Sequence, residues 1–326
     1  MSQLWLNLTQ NHTQPAAPQA TLYPIEDQAI VSVIGPDSAK FMQGQFTCNV
    51  QNVSDDQYRR GACCNAKGRM LANFTLAQYA GDYLLSLHST VAGTLLAHLK
   101  KYMVFFKSEM ATTEWISVGI QGSGCAALLN QAFGKVPTED NGSLGFEGGM
   151  IIKLPFEGGF ELWLHPDTAE STLMSLLPQC ALGSADAWAA HRIMLGLGLV
   201  TEHTVESFIP QMLNLGQTDA ISFNKGCYTG QEIVARMQYL GKLKRHMHLV
   251  QARQPLDPCM TVHSPNKSSA IGEMVNISQD PNGNAIALAV IESQYLEDTL
   301  TAQSDEIQPV SIELLSLPYD PLETGE

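Results

Sequence analysis

The chain of 326 residues lacks any apolar run near the ~20 residues that cross a bilayer; its richest stretch, Ile193 to Val200, is short and holds two glycines. The first twenty residues, MSQLWLNLTQNHTQPAAPQA, carry no basic segment followed by an apolar one, so no secretory signal is read there. Cys-x-x-Cys is absent, and seven scattered cysteines are an odd number. A disulfide framework and a zinc-binding spacing are thereby set aside, and reduced thiols in the cytosol are expected. Gly-x-Ser-x-Gly and Walker A sequences are missing too, which removes the elbow hydrolases and the P-loop enzymes. Charged residues make up only 15% of the chain, while hydrophobic content is an ordinary 44%.

The net charge of −14 argues against general nucleic-acid binding, because phosphate neutralisation supplies most nonspecific affinity. The charge is uneven. Arg59 to Lys107 holds seven basic residues and one acid, Asp82, and Lys225 to Arg253 holds six basic residues and one acid, Glu232. If these segments meet, they form a positive rim suited to a glutamate-tailed ligand, a phosphate backbone or an acidic partner.

Residues 1–20 read as a flexible arm rich in Gln, Asn, Thr and Pro. Strands are expected at 29–34, 83–87, 115–120, 150–154 and 160–164. Helices are expected after Asp37, from Thr90 with an apolar side of Val91, Leu95, Leu99 and Tyr102, at 125–133, after Asp167, and after Ser184. Gly122-Ser-Gly124 mimics a dinucleotide fingerprint, but a tight strand-to-helix turn is the better reading. Past Gly241 short apolar runs alternate with turns, and Asp280-Pro-Asn-Gly-Asn284 is a hairpin signal. The pattern predicts α+β subdomains over 21–241 and a small C-terminal β-barrel or sandwich over 242–326.

The most informative segment is Lys225-Gly226-Cys227-Tyr228-Thr229-Gly230-Gln231-Glu232. Thr229 and Glu232 have the spacing of a capping box, with Tyr228 and Ile233 at the staple positions. The helix would bury Val234, Met237 and Leu240 and stop at Gly241. Cys227 would then lie beside unpaired helix amides and the Lys225 cation, and both favour thiolate. Gly226 and Gly230 would permit close backbone approach. Gln231 would contact a ligand or cap a neighbour, and Arg236 would pair with Glu232 one turn away.

The stretch FIPQMLNLGQTDAISFNKGCYTGQEIVARMQYLGKLKR, together with FMQGQFTCNV at 41–50 and CNAKGRM at 64–70, resembles the YgfZ family of folate-binding, tRNA-modification and iron–sulfur maintenance proteins. The resemblance spans nearly the whole chain. It implies the fold of the glycine-cleavage T-protein, with two interleaved α+β subdomains around a central folate cavity and a terminal β-barrel. It implies tetrahydrofolate or another folate as ligand, Trp188 as a wall of its site, and Gln28 where relatives carry a second tryptophan. It also places Met194 where T-protein relatives carry a glutamate that binds the pterin amino group. A thioether cannot take that role, which counts against aminomethyl transfer.

The resulting expectation is a folate-binding accessory protein that supports assembly or repair of iron–sulfur enzymes and thereby tRNA modification. Cys227 and Lys225 are the expected working residues, iron–sulfur enzymes the partners, and no protein-ligated metal is expected. Residues alone assign no reaction. The rivals are a folate-dependent methyl or aminomethyl transferase, a structural adaptor, and a tRNA-binding module that the net charge disfavours.

Overall fold

The computed structural model describes residues 3–239, 241 and 243–321. In chain order it opens with helix α1 (Gln3–Asn11), strands β1 (Ala20–Ile25) and β2 (Gln28–Ile34), helix α2 (Ser38–Gln43), strands β3 (Arg59–Cys64), β4 (Met70–Tyr79) and β5 (Asp82–His88), and helix α3 (Ser89–Met103). There follow β6 (Glu109–Thr112), β7 (Ile116–Gln121), α4 (Cys125–Phe133), β8 (Ser143–Phe146), β9 (Gly149–Lys153), β10 (Phe160–Leu164), α5 (Pro166–Leu176), β11 (Cys180–Leu182) and α6 (Ala185–Met194). The chain ends with α7 (Gln231–Tyr239) and strands β12 (Arg245–Ala252), β13 (Thr261–His263), β14 (Gly272–Gln279), β15 (Ala285–Glu292), β16 (Leu300–Gln303) and β17 (Val310–Leu315).

Two sheets share the first half of the chain. One runs β11-β1-β7-β10-β9-β8 and the other β3-β4-β5-β2-β6. The second sheet is therefore inserted between β1 and β7 of the first, so the two units interleave. Both neighbours of β7 are antiparallel to it, which excludes a dinucleotide fold at Gly122. Strands β12 to β17 close a barrel. The hairpin turn forms as expected: Asp280 accepts from the amides of Asn282 and Asn284 at 2.8 and 2.9 Å.

Period-two alternation divides each sheet into an outer and an inner face. On the outer side of the first sheet, Leu22, Val118, Ile120 and Leu162 pack under Leu128 and Leu129 of α4 and Leu173 and Leu176 of α5. On the outer side of the second, Leu85 and Leu87 pack against Val91, Leu95 and Leu99, the i, i+4, i+8 stripe of α3. The inner faces meet through Ile30, Tyr58, Ala77 and Leu84 from one side and Met150, Ile152 and Trp163 from the other.

Several local expectations are corrected. The segment 1–20 contains helix α1, and Trp5 and Leu8 are each only 3% exposed in the core of the first sheet. Its polar composition hides an apolar pair three residues apart, enough to dock one helical turn. Tyr102 on α3 is 37% exposed rather than part of the buried stripe. Asp37 makes no side-chain cap and instead accepts the Lys107 amide at 2.8 Å. Helix α5 is capped by His165 rather than Asp167. Ser184 does cap α6, accepting from the Ala187 amide at 3.2 Å. No helix is long and apolar enough to cross a membrane among the described residues.

Candidate functional site

The octapeptide closes the long connection that follows α6 and supplies the first two residues of α7. Helix α7 begins at Gln231, so Gly230 rather than Thr229 precedes it. Gly230 has φ +84°, and a Cβ there would stand 2.5 Å from the carbonyl oxygen of Asn65, so only glycine fits. The expected capping box is replaced by a tighter contact: Gln231 Oε1 accepts from the Tyr228 amide at 3.2 Å. Thr229 turns its hydroxyl to Gln45 Oε1 at 3.4 Å. Glu232 is left for Arg236, whose Nη2 donates to Oε1 at 2.7 Å, as the spacing predicts. Val234 is buried and Met237 half-buried, while Leu240 lies outside the described residues. Around Gly226 a Cβ would meet nothing within 4 Å, so no close approach requires that glycine.

Lys225 does not stand as a free cation beside the thiol. Its Nζ donates to the carbonyl oxygens of Phe46 and Cys48, each at 2.7 Å, and sits 5.1 Å from the centre of the Tyr228 ring. Burial pushes its pKa down to about 8. Two carbonyl acceptors and an aromatic face hold the ammonium form at neutral pH. Lys225 thus clamps the loop to the segment before β3. Cys227 and Cys259 are exposed, whereas Cys48, Cys63, Cys64, Cys125 and Cys180 are buried. Burial drives the Cys48 and Cys64 thiols up to about 12, which leaves them inert beneath the loop. Among the described residues, no group of three or more His, Cys, Asp or Glu side chains converges as a metal site would require.

A second constellation lies between the sheets. Gln28, at the start of β2, receives the Ser86 hydroxyl on Oε1, while its Nε2 is buried with no partner among the described residues. Ladder register continues from Ser86 to Thr75 and from Thr75 to Arg60, giving a polar row across three strands. Facing it are Glu161 on β10 and Arg192 on α6, with Arg192 Nη1 3.5 Å from Glu161 Oε1. Trp188, one turn before Arg192, is 1% exposed and packs on Tyr23 and His191 with ring centres 5.4 and 5.2 Å away. Its Nε1, like the Gln28 amide nitrogen, is buried and has no acceptor among the described residues.

Cavities open on both sides of this region. One of about 330 Å³ is lined by Gln28, Ile25, Ser117 and Trp115, and one of about 360 Å³ reaches Arg192 past Asp27, His88 and Leu197. Trp188 lines neither; Ile25 packs against it and separates it from the Gln28 side. The Gln28 donor, which lines a cavity, suits a flat heteroaromatic ligand that brings carbonyl and ring-nitrogen acceptors, as a folate does. Met194 is 41% exposed.

The two basic segments meet, but not around Cys227. Lys67 and Arg69 from one, and Lys244 and Arg245 from the other, line a cleft of about 1250 Å³ whose walls also carry Lys267, Glu206, Glu273 and Glu292. Glu292 lies 2.8 Å from Arg245 and 2.9 Å from Lys267, so much of the positive charge is already paired. Sequence reasoning missed Arg60, Thr75 and Glu161. The one signal for Arg60 was its place in a strand, RRGACC, that is apolar beyond its two arginines.

Residues 3–180 match the GCVT N-terminal domain family. The chain is 30% identical to the tRNA-modifying protein YgfZ of Pectobacterium carotovorum subsp. carotovorum, across 92% of each sequence. It is 31% identical to the protein of that name from Aliivibrio fischeri, across 98% of each. Its fold is that of the glycine cleavage system aminomethyltransferase T from Bartonella henselae, with a TM-score of 0.75 and 18% identity over 94% of this chain and 88% of that one.

Proposed function

The chain belongs to the YgfZ family and carries its GCVT-type domain, and from that premise we propose a cytosolic folate-binding accessory protein that supports iron–sulfur enzymes acting in tRNA modification. The observation that carries the reading is the pair of buried N–H donors, on Trp188 and Gln28, that have no acceptor among the described residues. An orphaned buried donor costs about 1–3 kcal/mol. Gln28 lines a cavity of about 330 Å³ from which a ligand would reach its donor, while Trp188 packs behind Ile25 and would be reached by a ligand that displaces that side chain. Folate, when bound, supplies a one-carbon acceptor there.

Cys227 is the working thiol of this proposal. It is exposed on a loop held from below by Lys225 and from the side by Gly230. A thiol so placed meets a macromolecular partner without any opening of the fold. Lys225 positions it by holding the loop to the carbonyls of Phe46 and Cys48. Direct capture of tRNA by charge is disfavoured by the net charge of −14 and by the paired state of the basic cleft.

Fluorescence titration with tetrahydrofolate tests the ligand. Wild type should quench on binding, and Trp188→Ala should lose affinity; absence of binding by wild type would remove the folate reading. Complementation of a strain lacking its own family member tests the thiol. Cys227→Ser should fail to restore tRNA modification, and full restoration would leave the cysteine without a role.

A further inference from the structure

Arg60 is 6% exposed, yet no hydrogen bond or ion pair holds its guanidinium among the described residues. It projects from β3 on the same face as Tyr58, two residues earlier, and that face looks into the space between the sheets. The charged and phenolic groups around it are Arg192, Glu161, Tyr58 and Tyr319. Each is already engaged. Glu161 has Arg192 Nη1 at 3.5 Å on one oxygen and Trp163 Nε1 at 3.2 Å on the other. Tyr58 donates to the Lys153 carbonyl at 2.7 Å, and Tyr319 donates to the Gly196 carbonyl at 2.9 Å.

The interior therefore holds two guanidiniums and one carboxylate. A buried, unmatched cation is expensive unless something neutralises it. Next to Arg60 in the ladder stands Thr75, which is half-buried although it sits mid-strand in the middle of a sheet. Accessible surface therefore remains on the ladder neighbour of Arg60. Gln28 Nε2 and Trp188 Nε1, the other unmatched donors in the region, share its need for acceptors.

We propose that Arg60 is the specificity-determining contact of the inter-sheet site, taking a planar pair of oxygen or nitrogen acceptors from the bound ligand in a two-pronged hydrogen bond. This rests on the folate reading above and deepens it. Two parts of a folate offer that chemistry: the carbonyl-bearing edge of the pterin ring and the carboxylates of the glutamate tail. Burial lowers the Arg60 pKa from its usual range, in the direction expected for a cation that lacks a counter-charge.

A structural arginine and a ligand-reading arginine respond oppositely to removal. If Arg60 served Glu161, its loss would strand a buried carboxylate and lower stability. If it serves a ligand, its replacement relieves an uncompensated charge and the free protein keeps or gains stability. The experiment compares wild type, Arg60→Met and Arg60→Lys by thermal unfolding without ligand. It then titrates each by calorimetry with 5-formyltetrahydrofolate and with 5-formyltetrahydropteroate, which lacks the glutamate.

Arg60→Met should melt at or above the wild-type temperature and bind about 10- to 100-fold more weakly. Arg60→Lys should fall between, since it keeps charge but loses the fork. Loss confined to the glutamate-bearing ligand assigns the tail, and equal loss for both assigns the ring. Unchanged affinity in Arg60→Met would overturn the proposal, as would a variant that melts several degrees lower or fails to fold. Failure of wild type to bind either compound would instead strike the folate reading itself.

Discussion

The indole of Trp188 fills the space above Gly119: a Cβ built on that glycine would stand 2.3 Å from Cδ2 of the ring. Strand β7 thus needs a residue without a side chain opposite the helix that carries the tryptophan. Gly119→Ala should push the ring outward and cost about 1–3 kcal/mol. Tryptophan emission should shift to longer wavelength and the melting temperature should drop. An unaltered spectrum with unaltered melting would show that the ring has room to move.

The two glycines of the motif should behave differently. Gly230 has positive φ and no room for a Cβ, whereas Gly226 faces open space. Gly230→Ala should destabilise by roughly 1–3 kcal/mol, from backbone strain and the contact with Asn65. Gly226→Ala should stay within about 0.5 kcal/mol of wild type. Urea midpoints for the pair decide this; equal effects would contradict the loop geometry.

Lys225→Met should reveal the clamp. It leaves the carbonyls of Phe46 and Cys48 without their donor and removes the contact with Tyr228. The expected loss is on the order of 2 kcal/mol, read as a lower urea midpoint with an unchanged slope. A fully stable Lys225→Met protein would return Lys225 to a purely chemical role.

Acid should weaken the fold through the barrel. Burial pushes the His248 pKa down to about 4, with His246 adding to the effect and Asp320 opposing it. The unfolded chain takes up that proton near pH 6.5, while the folded one resists until near pH 4. Stability therefore falls as pH drops through this window, by on the order of 2 kcal/mol for this residue. His248→Leu should flatten the fall in melting temperature between pH 7 and pH 4. A parallel profile in the variant would assign the acid sensitivity elsewhere.

Much of the architecture was legible in the sequence where one local pattern decides the outcome. The helix Cys125–Phe133 and the strand Phe160–Leu164 lie where the apolar runs put them, and Ser184 caps its helix as its residue type suggests. The start of α7 was misplaced by one residue because Gly230 supplies the turn through its own backbone angle, which outweighs the capping-box spacing. The nearness of Arg60 to Glu161 was hidden for a different reason. They are 101 positions apart, and they meet only because two sheets from interleaved stretches of chain pack face to face. The Lys225 clamp was missed because its acceptors are main-chain carbonyls, which carry no sequence signal.

The insertion of one sheet inside another has a consequence for synthesis. Strand β1 ends at Ile25 and its antiparallel neighbour β7 begins at Ile116, 91 positions later. At roughly 5–20 residues per second, a ribosome leaves that apolar strand waiting roughly 5–20 s before its ladder can form. The inserted strands β2 to β6 can close their own sheet in that interval. The amino-terminal strand is therefore the segment most open to capture by a nascent-chain chaperone, although it ends in the middle of a finished sheet.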